Sequence, residues 1–264
     1  MYETKYHKAS SVSEAVSLMG AADDGKFLSG GQTLLPTMKA HLAAPSDLVD
    51  VSGIAEMNGV SVSGGTVTIG AATTHAEVAG NAALQDACAG VADLAANIGD
   101  PAVRHLGTIG GSIANNDPAA DYPAALLALG ATIKTNTREI TADDFFVGLF
   151  ETALDDDEVI VSVSFEVPSK ACYAKFPNPA SRYALAGVFA ALTSAGARIA
   201  VTGAGDDGVY RQTDMEAALD NSWNADAISG VLVGAEGMLS DMHGDATYRA
   251  NLVKVMAGRA VAGC

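Results

Sequence analysis

The sequence predicts an α+β fold made of three successive units. Strand-like and helix-like runs alternate along the whole chain, and the pattern changes character near residue 56 and again near residue 169. With 264 residues and 49% apolar side chains, the chain is long enough to bury several packed units.

The first unit, residues 1–55, reads as strand–helix–strand. Residues 13–19 have helical character behind a serine cap. Lys26-Phe27-Leu28 is a short strand running into Ser29-Gly30-Gly31-Gln32-Thr33. Residues 34–42 predict a second helix with Pro36 in its first turn, where a missing N–H breaks no helical bond. Residues 47–51 are the next strand. The second unit, residues 56–168, opens on a hairpin in which 59–63 and 66–70 alternate around Gly64-Gly65. Thr74 followed by Glu77 predicts a capping box, and 83–98 a longer helical region. A glycine-rich segment, 104–112, interrupts it. Residues 123–129 start another helix, 131–134 form a strand, and 159–167 alternate as an edge or half-buried strand that Pro168 ends. The third unit, residues 169–264, has strands at 183–193 and 197–201 joined by Ser194-Ala195-Gly196, then helices at 214–219, 225–232 and 248–261. In the last helix Arg249, Lys254 and Arg259 interleave with apolar positions, as in an amphipathic helix.

Thirty-one acidic against 15 basic side chains give a formal net charge of −16. That balance speaks against a nucleic-acid or anionic-membrane surface, both of which need positive patches, and leaves room for a local anion site. Cys88, Cys172 and Cys264 are far apart in sequence, so neither a disulfide framework nor a cysteine-ligated iron–sulfur or zinc site is expected. No long apolar segment follows the N-terminus, and the longest apolar stretch, 124–133, is shorter than a membrane span. A soluble cytoplasmic protein is the expectation.

The strongest local signal is a pair of glycine-rich segments, Ser29-Gly30-Gly31-Gln32-Thr33 and Gly107-Thr108-Ile109-Gly110-Gly111-Ser112. Glycine lets successive N–H groups approach an anion, and the hydroxyls of Ser29, Thr33, Thr108 and Ser112 add donors, as would the start of a following helix. Ordinary tight turns are the competing reading. Neither segment has the spacing of a dinucleotide-binding Gly-x-Gly-x-x-Gly turn or a P-loop, and His7, His41, His75, His105 and His243 are scattered. After the second segment, Asn115, Asn116 and Asp117 can bond a ribose, a polar ring edge or the turn itself. Asp121 either caps the next helix or faces a ligand, and Arg104 either pairs with a carboxylate or approaches a phosphate.

Taken together, the Gly-Gly-Gln-Thr-Leu-Leu-Pro run, Ile98-Gly99-Asp100 through Arg104, Gly107 through Ala114 and Asp117-Pro118-Ala119-Ala120-Asp121 resemble the FAD-binding medium subunit of molybdenum hydroxylases. That group includes carbon monoxide dehydrogenase and xanthine dehydrogenase. The resemblance continues through Asp144-Phe145-Phe146, Asp157-Glu158-Val159-Ile160, Tyr173-Ala174-Lys175-Phe176 and the run from Ser240 to Arg249, and covers nearly the whole chain.

The resemblance implies a two-part PCMH-type FAD-binding domain, 1–55 and 56–168, followed by a smaller α+β C-terminal domain, 169–264, like that of the carbon monoxide dehydrogenase flavoprotein. By the same resemblance, Ser29, Gly30, Gly31, Gln32 and Thr33 with Thr108, Ile109, Gly110, Gly111 and Ser112 hold the pyrophosphate. Leu28, Leu34 and Leu35 line the cofactor channel, Asp117 lies by the ribityl or phosphate region, Asp121 supports that wall, Lys175 lies near the cofactor, and Asn115 counts among the cofactor-binding residues. No residue acts as acid or base on the organic substrate. FAD would be held in this chain, with the molybdopterin cofactor in a large partner subunit and two [2Fe-2S] clusters in a small one. The implied assembly is a dimer of heterotrimers, cytoplasmic or peripherally associated with the inner membrane, passing electrons to an external acceptor. One departure stands out: Arg182 occupies a position where an Asp is common, beside a retained aromatic, Tyr183. The alternatives are a stand-alone FAD-dependent reductase of the same fold, resembling the enolpyruvyl-UDP-glucosamine reductase type, and a flavin-free structural subunit.

Overall fold

The computed structural model describes all 264 residues. β1 (Lys5–Lys8), β2 (Gly25–Leu28) and β3 (Asp47–Asp50) form a parallel sheet in the order β1-β3-β2. Two helices lie between these strands in the chain, α1 (Val12–Gly20), capped by the Ser11 hydroxyl, and α2 (Leu34–Lys39). β1 is polar and has no apolar alternation to announce it. Side-chain pairing ties it to β3: the Tyr6 hydroxyl donates to Asp50, and His7 lies 2.7 Å from the buried Asp47. α2 stops at Lys39, short of the predicted 42, because His41 takes a left-handed conformation (φ 63°) that a helix cannot continue through.

The second sheet begins with β4 (Val60–Ser63) and β5 (Thr66–Gly70), a hairpin whose two glycines both have positive φ. β6 (Thr132–Thr135) and β7 (Glu139–Thr141) follow, then a small separate hairpin, β8 (Phe146–Gly148) and β9 (Glu151–Thr152). β10 (Ile160–Glu166) completes an antiparallel sheet ordered β4-β5-β10-β6-β7. β10 is therefore the central strand, hydrogen-bonded along both sides, and not an edge; its alternation reports which face meets the core. Between β5 and β6 run α3 (His75–Gly80), closed by the Thr74–Glu77 capping box, α4 (Ala82–Ala96), α5 (Pro101–Arg104), α6 (Ile109–Asn115) and α7 (Tyr122–Leu129). All eight residues of α7 are buried, since it packs between the second and third sheets and has no solvent face to keep polar. α8 (Ala142–Phe145) leads into β8.

The third sheet is an antiparallel meander of β11 (Lys170–Pro177), β12 (Ala184–Thr193), β13 (Gly196–Thr202) and β14 (Tyr210–Arg211). It is backed by α9 (Thr213–Asn221), α10 (Ala225–Ser229) and α11 (Ala246–Gly263). β12 divides its side chains by alternation: Phe189 and Ala191 join the core shared with the second sheet, while Val188 and Ala190 join the core under α11. Arg249 does not face solvent as its helical spacing suggested. It is 3% exposed and donates to the Leu185 and Gly203 carbonyls and to Asp241.

The three cysteines, remote in sequence, converge where α4, β11 and the end of α11 meet. Cys172 neighbours both Cys88 and Cys264, and all three are free thiols. Burial pushes the Cys88 thiol up to about 11. No group of three or more His, Cys, Asp or Glu side chains is arranged to hold a metal, and no helix is long and apolar enough to cross a membrane.

Candidate cofactor site

At the end of β2 the chain turns through Ser29-Gly30-Gly31-Gln32-Thr33 into α2. Gly31 is left-handed (φ 66°), which only glycine adopts freely. The backbone N–H groups of Ser29, Gly30, Gly31, Gln32, Thr33 and Leu34 donate to no acceptor within the chain. Backbone N–H groups left free in this way are the donors with which a concavity can bind an anion. A Cβ on Gly30 would meet the Leu106 carbonyl oxygen at 2.0 Å, so this glycine lets the first segment press against the approach to the second.

The second segment is not an open loop. Thr108 caps α6, which places Ile109, Gly110, Gly111 and Ser112 in the helix's first turn. Their N–H groups are already used. Ile109 donates to Thr73 O at 3.2 Å, Gly110 to Ala71 O at 2.8 Å, Gly111 to Thr108 Oγ1 at 3.1 Å and Ser112 to Thr108 O at 3.0 Å. The glycines serve close packing instead: a Cβ on Gly107 would stand 2.7 Å from His75 Nε2, and one on Gly110 2.6 Å from Ala71 Cβ. Gly111 alone is exposed. The segments meet at one hydrogen bond, Ser29 Oγ to Thr108 Oγ1 at 2.9 Å.

Both segments line a cavity of about 490 Å³, within the range of small-molecule and cofactor sites. Of the residues singled out from the sequence, Leu28, Ser29, Gly30, Gly31, Gln32, Thr33, Leu34, Thr108, Gly110, Gly111, Ser112, Asn115, Asp117 and Asp121 are on its wall. Leu35, Ile109 and Lys175 are not among the lining residues. Ile109 is fully buried in the core and Leu35 packs against Leu28, Met38 and Leu48.

Asp121 does not cap α7, because no cap hydrogen bond forms. Its buried carboxylate instead accepts from the Tyr173 hydroxyl at 2.5 Å and from Lys175 Nζ at 3.0 Å, and Lys175 also donates to the Asn97 carbonyl. Burial raises the Asp121 pKa, and Lys175 and Tyr173 oppose that rise. Lys175 is thus an enclosed strand residue joining the third sheet to the cavity wall, not a solvated strand-end charge. Arg104 approaches neither a carboxylate nor the cavity; its guanidinium donates to the Ile98 and Gly99 carbonyls. Arg182 is exposed in a turn with φ 63°, where its N–H bonds the Asn178 carbonyl, while its neighbour Tyr183 lines the cavity.

Several wall residues carried no site signal of their own in the sequence. Lys26 is the one lysine or arginine on the lining, and it stands on the strand that leads into the first segment. His75 is 4% exposed, and burial followed by the nearby Arg104 charge lowers its pKa to about 4, so the ring is neutral at pH 7. Glu158 is held by Arg138, Thr135, Thr137 and the Asp155 N–H. Arg138 above all lowers its pKa to about 2. This anchors Val159 and Ile160, which are also on the wall.

Residues 2–169 match the family described as the FAD binding domain in molybdopterin dehydrogenase. The chain is 33% identical to the carbon monoxide dehydrogenase medium chain of Hydrogenophaga pseudoflava, over 97% of this chain and 95% of the relative. It is 32% identical to the nicotine 6-hydroxylase medium subunit of Paenarthrobacter nicotinovorans, again over 97% and 95%. The solved structure of reconstituted CO dehydrogenase from Oligotropha carboxidovorans superposes with a TM-score of 0.91 at 30% identity, covering 98% of this chain and 96% of that one. With a cofactor-sized cavity between two glycine-rich segments and near-full-length relatives, the chain belongs to the family of FAD-binding domains in molybdopterin dehydrogenases.

Proposed function

We propose that this chain is the FAD-binding, electron-transferring medium subunit of a molybdenum hydroxylase-type complex. In this reading it takes electrons from a [2Fe-2S] subunit and passes them to an external acceptor, while a large molybdopterin subunit oxidises the substrate. The carrying observation is the run of unused N–H groups from Ser29 to Leu34 on the wall of the 490 Å³ cavity. These donors suit a pyrophosphate even in a chain of net charge −16, because backbone dipoles need no basic side chain.

The residues present fit the cofactor. Ser29 to Thr33 hold the pyrophosphate through backbone amides, with Lys26 supplying nearby positive charge. Asn115 and Asp117 meet the sugar or ribityl hydroxyls, and Leu28, Leu34, Ile98 and Val103 exclude water. Thr108 to Ser112 brace the first segment through the Ser29–Thr108 bond, with Gly110 and Gly111 on the wall beside it. Asp121 and Lys175 hold the wall, acting through one another. When bound, FAD supplies a carrier that accepts electrons singly or in pairs; the chain itself binds, orients and shields it.

The medium-chain and medium-subunit names of the relatives support a multisubunit assembly. Purified chain reconstituted with FAD should show a flavin spectrum with about one FAD per chain. Folded protein that stays colourless overturns the cofactor reading. Nicotinamide-dependent turnover by the isolated chain would instead favour a stand-alone reductase.

A further inference from the structure

The β8–β9 hairpin presents an apolar tip that neither the core nor the cavity uses. Val147, Leu149 and Phe150 are 53%, 48% and 57% exposed on adjoining positions, which is unusual for large apolar side chains so close together. The base is anchored, since Phe145 is fully buried and packs edge-on against Phe146 at 5.1 Å. The tip is held too. Asn116, itself left-handed and 3% exposed, donates its side-chain amide to the Gly148 and Glu151 carbonyls, each at 2.9 Å, and its backbone carbonyl accepts from the Phe150 N–H at 3.2 Å.

Phe150 has φ 55°, a conformation that is strained for a bulky residue and that glycine would adopt freely. A buried amide thus holds a strained aromatic out in water. Carboxylates frame the tip: a Cβ on Gly148 would stand 3.2 Å from Asp207 Oδ1 and 3.9 Å from Glu151 Oε2. Both acids are exposed and neither forms an ion pair. The anchoring Asn116 lies between Asn115 and Asp117, which are on the cavity wall.

We infer that this hairpin is a docking knob for the iron–sulfur subunit, seating Val147, Leu149 and Phe150 in an apolar pocket rimmed by lysine and arginine. The inference rests on the multisubunit reading above. Charge complementarity selects a basic-rimmed partner, because uncompensated carboxylates beside an apolar contact favour one sign of neighbour. Proximity to the cavity selects the electron donor, since that subunit has to reach the cofactor.

The test is co-expression of the three subunits, with retention of each partner on tagged medium chain measured beside FAD content and thermal stability. Val147→Asp with Leu149→Asp should weaken retention of the iron–sulfur subunit about tenfold or more, as loss of a central apolar anchor does, with FAD per chain unchanged. Phe150→Gly separates docking from folding: stability should hold or rise as the strain is relieved, while retention falls. Glu151→Lys with Asp207→Lys should weaken retention and reverse its salt dependence. Retention within about twofold of wild type in the Asp double variant overturns the inference, as does selective loss of the large subunit. Failure of the wild-type chain to bind FAD, or to retain any partner, is a different result and overturns the reading beneath it.

Discussion

The segments Ser29–Leu34 and Thr108–Ser112 share composition, touch at one hydrogen bond and line one cavity, yet their amides are used differently. In the first, six successive N–H groups have no acceptor in the chain; in the second, Ile109 to Ser112 have all found one. The cause is what lies behind each. The first leaves the edge strand β2, whose outer side has no neighbour. The second starts a helix against the Ala71–Thr73 backbone, whose carbonyls take its donors. Glycine content alone thus says that a backbone must come close to something. In the first segment Gly30 meets the Leu106 carbonyl while the amides stay without acceptors; in the second the protein itself takes up both the close approach and the amides.

Substitutions around the second segment should cost stability and those in the first should cost affinity. The largest effect is expected at the buried ion pair behind the cavity wall. Lys175→Met leaves the Asp121 carboxylate buried without its cation, and urea unfolding should show a loss of about 3–5 kcal/mol. Gly110→Val drives a side chain into Ala71 and should cost about 3 kcal/mol in the same assay; unchanged stability would mean that the segment is looser than its hydrogen bonds indicate.

Stability should depend on pH through His75, beneath Gly107. Its folded-state pKa is about 4, whereas the unfolded chain titrates near about 6.5. Between these values the unfolded chain binds a proton that the folded one does not. Stability is therefore full above pH about 6.5 and falls as pH drops toward 4, by about 3 kcal/mol at most. His75→Gln should flatten that slope in unfolding curves recorded from pH 4 to 7.

Smaller in stability but larger in binding is Gly31→Ala. Forcing an L-residue to φ 66° should cost about 1–2 kcal/mol and weaken FAD binding measurably by fluorescence titration. Smallest is Gly111→Ala, where only the Thr108 hydroxyl is near, at 3.0 Å. Stability should change by less than about 0.5 kcal/mol, and a modest loss of FAD affinity would identify Gly111 as a ligand-facing glycine of its segment. If Gly31→Ala leaves affinity intact while Gly111→Ala abolishes it, the roles of the two segments are reversed.

Elements with a local signature were legible. The Gly64-Gly65 hairpin, the Thr74–Glu77 capping box and the meander turn at Gly196 each depend on dihedral angles or donors within a few residues, and each is where its spacing predicts. β1 and β11 were not, because both are strands of mixed polar, small and charged residues held by partners remote in the chain. The same distance hid the partners of Asp121, Lys175 and Arg249. An Asp before a helix looks like a cap, and a basic residue in a strand or helix looks solvated, until Tyr173 pairs with Asp121 and the Leu185 carbonyl with Arg249. The convergence of Cys88, Cys172 and Cys264 was equally out of reach.

By itself, the sequence determined the α+β class, the positions of both glycine-rich segments and 14 of the 31 residues that line the cavity. Local dihedral preference, helix capping and apolar periodicity are properties of neighbouring residues, so they can be read in order along the chain. Only the tertiary structure decided which amides remain free to bind and which charges are buried in pairs. Hydrogen-bond satisfaction and desolvation are settled by whatever the fold brings within about 3 Å, however far away it lies in the chain.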